Sequence, residues 1–150
     1  MGICVGMQML YRASEEDPRR AGLGVFDRTV RRLPDTVKRP QMQWNRLDLV
    51  SRSHAMFRGL ETLVDDEDRP VEPWVYFVHS FAAEPGPEVI ATCDYGGPVT
   101  AAVARDRVWA TQFHPEKSAA TGLAILANFV AWVAAGAPTV PPAPAVAGRV

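Results

Sequence analysis

Gly2-Ile3-Cys4-Val5-Gly6-Met7-Gln8 is the stretch on which the fold turns. Its pattern, G-x-C-x-G, sets glycine two residues before and two residues after a thiol. A nucleophile on a sharp strand-to-helix turn crowds its neighbours, so side chains are best absent at both flanks. The next backbone N–H then faces the reacting carbonyl oxygen. The pattern predicts a short helix over residues 6–12 after the turn, with Met7, Leu10 and Tyr11 as its apolar side. The positive end of that helix would favour thiolate over thiol at Cys4. Taken alone, a cysteine in an apolar segment is more often a buried small hydrophobe.

The surrounding chain bounds the answer. It has 150 residues, 47% hydrophobic and 22% charged, enough for one core and small for two. A net charge of −1 argues against nucleic acid or an anionic membrane as the main partner. The first fifty residues hold nine Lys/Arg against six Asp/Glu. That excess allows a basic patch around Arg19, Arg20, Arg31, Arg32, Lys38 and Arg39, although a solvated face is the simpler reading. Two cysteines, Cys4 and Cys93, fit a reducing cytosol better than a disulfide framework. No apolar run has the length of a membrane span, and Met1-Gly2-Ile3 lacks the charge that starts a signal peptide, so a cytoplasmic location is expected.

Further along, residues 14–20 read as a polar loop, and residues 25–33 as a strand stopped by Pro34. Leu47 to Val50 alternates as a strand does, and Met56 to Leu60 suits one helical turn. Asp65-Asp66-Glu67-Asp68 is an acidic loop tip whose adjacent carboxylates lack the alternation of a metal loop. Strands are expected at 74–81, 89–92, 99–104 and 108–113, the last two joined by a tight turn at Arg105-Asp106. A closing helix follows, capped by Ser118 and stopped by Gly136. Its apolar face is assigned to Leu123, Leu126, Ala127, Phe129, Val130 and Val133. Residues 1–136 then form the domain, and the Pro- and Ala-rich residues 137–150 read as a disordered tail.

A second chemical cluster, Gln112-Phe113-His114-Pro115-Glu116-Lys117-Ser118, leaves the last strand. On an extended backbone His114 and Glu116 share a face, so the carboxylate would orient an imidazole serving Cys4 as base. An isolated His-Pro loop would be unremarkable chemically. Paired with G-x-C-x-G it is what a cysteine nucleophile needs, and strand ends are where a parallel sheet gathers its site. His54, His79 and His114 lack zinc-like spacing, so a metal site is not expected.

Together these motifs resemble those of the class I, triad-type glutamine amidotransferases. Four further segments narrow the resemblance: Met42-Gln43-Trp44-Asn45, Tyr76-Phe77-Val78-His79-Ser80-Phe81, Asp94-Tyr95-Gly96-Gly97 and His114-Pro115-Glu116-Lys117-Ser118. Their order and spacing are similar to those of the glutamine amidotransferase subunits of imidazole glycerol phosphate synthase, from histidine biosynthesis. A remoter anthranilate or guanylate type is disfavoured by residues 42–45 and by Lys117-Ser118.

The resemblance implies an α/β fold, three layers of the flavodoxin-like amidotransferase type. It implies Cys4, His114 and Glu116 as the catalytic triad, with no organic cofactor needed. Gln8 and the backbone of Ser80 and Phe81 would hold the amino-acid end of glutamine, and the N–H of Val5 would donate to the oxyanion. Met42, Trp44, Asn45 and Lys117 match positions facing a partner cyclase, a (β/α)8 barrel that receives the ammonia. Gln43 stands where glycine is usual, which would alter the backbone nearby, and Phe81 replaces the commoner tyrosine. Family members carry about eighty residues before the cysteine, including first strands of the sheet and a second oxyanion donor worth about a hundredfold in rate. Those strands are expected to be missing here, with Met1 an internal methionine of a longer chain. The competing expectation is an inactive fragment or pseudoenzyme that at most docks on the cyclase.

Overall fold

A computed structural model describes residues 1–139. The elements run β1 (Gly2–Ile3), α1 (Val5–Gln8), β2 (Tyr11–Ser14), β3 (Phe26–Arg32), β4 (Gln41–Arg46) and β5 (Asp48–Leu49). Two 3-10 turns follow, at Ala55–Phe57 and Leu60–Thr62. Then come β6 (Trp74–His79), β7 (Phe81–Ala83), β8 (Val89–Asp94), β9 (Pro98–Arg105), β10 (Val108–Thr111), a 3-10 turn at Pro115–Lys117 and α2 (Ala119–Ala134). The mixed α/β character expected from the sequence is what the chain has.

The largest sheet orders its strands β1-β10-β9-β8-β5; β2-β3-β7 and β4-β6 form two smaller sheets. Within the large sheet β1 runs parallel to β10, while the other neighbours are antiparallel. Both faces of β10 are buried. Trp109 enters a core with Phe77, Phe113, Ile125 and Trp132, and Ala110 enters a second with Met7, Tyr11, Phe26 and Val30. Stacking of Trp109 on Trp132, with ring centroids 4.6 Å apart, fixes α2 against the first face. The predicted hairpin exists: Arg105 pairs with Val108, and Asp106 takes φ 52° in the turn.

Several expectations need correction. The helix predicted over residues 6–12 stops after Val5–Gln8, and Tyr11 begins β2 instead. Tyr11 is fully buried, pairs with Phe26 and sets its ring 5.1 Å from that of Phe26, so tertiary pairing overrides a helical spacing only two turns long. The turn expected at 56–60 is split in two by Gly59, whose φ of 77° suits glycine and not a helix interior. Ser118 stands at the start of α2 without capping it by its side chain. Residues 42–45, read only as a partner-facing motif, lie within a full strand, β4, against β6.

The apolar face of α2 is also reassigned. Thr121, Gly122, Ile125 and Trp132 are buried, whereas Leu123, Val130 and Val133 are exposed. The helix carries no charged residue, so its periodicity is too shallow to choose a face. Asn128 makes the choice, donating from Nδ2 to the carbonyls of Met56 (3.0 Å) and Arg58 (2.8 Å). At the far end Gly136 (φ 84°) stops the helix as expected, and Trp132 Nε1 donates to Pro138 O at 2.9 Å. The remainder of the tail, residues 140–150, lies outside the described residues.

The arginines of the first third are held in ion pairs more than gathered in a patch: Arg31 reaches Glu15 and Glu84, both at 2.8 Å, and Arg39 reaches Asp35. At the acidic tip, Asp65 Oδ2 takes Arg69 at 2.7 Å. Among the described residues no helix is long and apolar enough to cross a membrane.

Candidate active site

The thiol is carried on the edge of the large sheet. Parallel register sets Gly2 against Ala110 and Ile3 against Thr111, and the Cys4 N–H continues the ladder to Thr111 O at 2.8 Å. Cys4 then turns sharply, with φ 50° and ψ −109°, a region a side-chain-bearing residue rarely adopts. Its carbonyl accepts from the N–H groups of Met7 (3.0 Å) and Gln8 (3.2 Å), which holds the strained turn in place. A Cβ at Gly2 would lie 2.7 Å from Gly6 O, so the first glycine is demanded by close approach. A Cβ on Gly6 would meet nothing within 4 Å. The crowding argument therefore holds on one flank only.

Burial raises the pKa of the Cys4 thiol above its ordinary value, and the nearby charges of Glu116 and Glu16 add to that rise. The Val5 N–H and the Gln112 side chain act in the opposite sense by hydrogen bonding to sulfur. The predicted preference for thiolate is thus reversed. Four residues of helix give too little dipole to outweigh partial burial and two carboxylates. A base is needed to ionise this thiol at neutral pH.

His114 follows β10, and its Nδ1 lies 2.7 Å from Glu116 Oε1. A carboxylate only accepts, so Nδ1 carries the hydrogen and Nε2 is left as the basic nitrogen. The pair forms differently from expectation: Glu116 is not on an extended strand but inside the 3-10 turn Pro115–Lys117, which folds its carboxylate back to the ring. Ser118 locks this loop. Its Oγ donates to His114 O at 2.6 Å and accepts from Tyr76 N at 3.0 Å, while His114 N–H donates to Tyr76 O at 3.0 Å.

Gln8 projects from α1 and donates from Nε2 to Phe81 O (2.9 Å) and to Gln112 Oε1 (3.0 Å). Ser80 and Phe81 form the junction of β6 and β7, and with Glu15, Arg32 and Arg39 they line a hollow of about 490 Å³. Val5 and Gln8 line a separate hollow of about 320 Å³ together with Glu16. Sequence reading missed Glu16, which lay in a stretch assigned only as polar loop, and gave no role to Gln112. The signal for Gln112 was present: it stands two residues before His114, on the same run.

The four residues matched to a partner-facing role sit elsewhere. Met42 and Trp44 are exposed on β4, opposite Val78 and Tyr76, and the Trp44 ring meets that of Tyr76 edge-on at 6.2 Å. Asn45 is engaged within the chain, donating to Asp94 O at 3.0 Å and accepting from Gln41 and Gln43. Lys117 is exposed at the end of the His114 loop. Gln43 occupies a regular paired position of β4 opposite Phe77, and a side chain there leaves the strand backbone extended. Among the described residues no three His, Cys, Asp or Glu side chains converge as a metal-holding group.

The chain is similar to the HisH subunit of imidazole glycerol phosphate synthase from Methylococcus capsulatus, with 44% identity over 142 residues, covering 88% of this chain and 61% of the relative. The corresponding subunit of Microcystis aeruginosa is 47% identical over 135 residues, 87% of this chain and 59% of its own length. That of Caulobacter vibrioides is 46% identical over 137 residues, 88% and 60% respectively. The chain thus spans about 60% of the length of the curated relatives it matches. The pattern of the class-I glutamine amidotransferases matches residues 1–132, from the thiol turn through the His-Glu loop into the last turn of α2, and the chain belongs to that family.

Proposed function

We propose that this chain is the glutamine-hydrolysing component of a two-subunit imidazole glycerol phosphate synthase, acting through Cys4, His114 and Glu116 in the cytoplasm. The observation that carries the reading is the His114–Glu116 contact of 2.7 Å, from which the Glu116 charge acts on a Cys4 thiol held on a strained turn. The names of the relatives support the pathway.

Cys4 gives its proton to His114 Nε2 and attacks the side-chain amide carbon of glutamine; the carbonyl oxygen takes negative charge and the Val5 N–H donates to it. His114 returns the proton to nitrogen, the C–N bond breaks, and ammonia leaves a glutamyl thioester on Cys4. Water, deprotonated by His114, then releases glutamate. Glu116 keeps His114 in the Nδ1–H form throughout. Gln8, Ser80 and Phe81 face the amino-acid end of the substrate, and Glu16 offers a carboxylate to its ammonium group. The ammonia passes to the cyclase, contact with which is assigned to Met42, Trp44, Asn45 and Lys117.

The test is glutamate release by this chain with purified cyclase and its nucleotide ligand. Release that vanishes in Cys4→Ala is expected; equal release in that variant sinks the proposal. The second reading is a chain that docks on the cyclase without turning over. Binding to the cyclase with no glutamate formed would select it.

A further inference from the structure

We propose that Gln112 is a positioning residue for Cys4, its carboxamide fixing the sulfur and Gln8 in one arrangement. Gln112 is fully buried at the end of β10 and its backbone N–H is tied to Ala101 O at 2.8 Å. Its Oε1 accepts from Gln8 Nε2 at 3.0 Å, and its Nε2 lies 3.7 Å from Cys4 Sγ.

The direction of these hydrogen bonds is dictated from the far end. Phe81 O is a carbonyl and only accepts, so the Gln8 group facing it at 2.9 Å must be the nitrogen. That nitrogen gives its second hydrogen to Gln112, which must therefore present oxygen. The other end of Gln112, facing sulfur, is consequently the donor. His79 Nδ1 lies 2.8 Å from the same Phe81 oxygen and donates to it, which keeps that carbonyl anchored beside β7. A single pure acceptor thus sets the orientation of two amides and delivers an N–H to the nucleophile.

This N–H does not touch the substrate. It opposes the burial and the carboxylates that disfavour the thiolate, and it holds the sulfur on the side where Val5 N–H also points. A carboxylate in its place would keep the shape and invert the effect.

The inference rests on Cys4 being the nucleophile, but its test does not need glutamine. Iodoacetamide alkylation of Cys4 in the 150-residue chain, followed across pH by peptide mass spectrometry, reads the thiolate directly. In Gln112→Glu the midpoint should move up by at least about one pH unit, a roughly tenfold slower reaction at neutral pH, with a smaller shift in Gln112→Met. Folded variants whose alkylation profile matches the unmutated chain would overturn the proposal. Should the variants not fold, the side-chain amide resonances of Gln112 in the unmutated chain serve. They should shift with the ionisation of Cys4 and be pH-independent over that range in Cys4→Ala; amide signals that ignore the thiol overturn the proposal equally. A shifted profile without glutaminase activity would sustain the role of Gln112 while the functional reading fails. Full glutaminase activity with an unmoved profile would do the reverse.

Discussion

His54 and His79 should make this fold sensitive to mild acid. Both are almost completely buried, and burial pushes each imidazole down from the ordinary 6.5 to about 4. His54 Nδ1 accepts from Met56 N–H at 3.1 Å, so its hydrogen sits on Nε2; His79 Nδ1 donates to Phe81 O, so its Nε2 is bare. Protonating His54 would set donor against donor at the 3-10 turn. Protonating His79 would bury a charged N–H that has no acceptor among the described residues. Between pH 6.5 and 4 the unfolded chain binds protons that the folded chain refuses, so stability is fully present above this window and falls as the pH drops through it. Linkage gives about 2 kcal/mol lost per imidazole between about pH 7 and pH 5, or about 4 kcal/mol for the pair. That is a large part of what a domain of this size commonly has. Urea titrations at the two pH values measure it directly. The double variant His54→Asn, His79→Gln controls for carboxylates, and the new Asn keeps an acceptor for Met56 N–H. A loss below about 1 kcal/mol in the unmutated chain, or an undiminished loss in the double variant, would refute the reasoning.

Other consequences are equally open to measurement. Replacing Glu116 with Gln should cut glutamine hydrolysis about a thousandfold or more with little change in KM, because His114 loses the partner that fixes its tautomer; an unchanged kcat would contradict it. Gly122→Ala should destabilise the chain by about 1–3 kcal/mol in urea titration, since the new Cβ would collide with Pro115 O and push the His114 loop off α2. Cys93 is buried with its thiol pushed up to about 11, so iodoacetamide at mildly alkaline pH should modify Cys4 well before Cys93 in the folded chain. Equal labelling would place the two thiols in similar surroundings.

The sequence was most legible where a local rule and a chemical rule coincided. G-x-C-x-G predicted a strained turn, and Cys4 has it; the Arg105-Asp106 signal predicted a hairpin, and β9 and β10 form one. The strands from Trp74 onward were readable because Gly, Pro or Asp punctuates each. Reading failed where tertiary contacts outweighed spacing. Tyr11 joins a strand because Phe26 and β3 are waiting for it, and α2 turns Leu123 outward because Asn128 is held by the Met56 turn. Among the site residues, Cys4, His114 and Glu116 were legible as reactive types at recognisable spacing. Glu16 was not, since a carboxylate in a polar loop acquires meaning only from what lies opposite it, and Gln112, just past β10, was marked only by its place before His114.

The parallel register of β1 on β10 bears on how such a site can fail. The proposed nucleophile and base are spaced by the hydrogen-bond ladder itself, the Cys4 amide bonded to Thr111 O three residues before His114. A slip of one residue would turn Cys4 to the opposite face. On the proposed reading, catalytic competence is therefore a digital property of strand alignment: a chain in which the two residues of β1 have come off their neighbour keeps all its reactive groups and would lose the reaction.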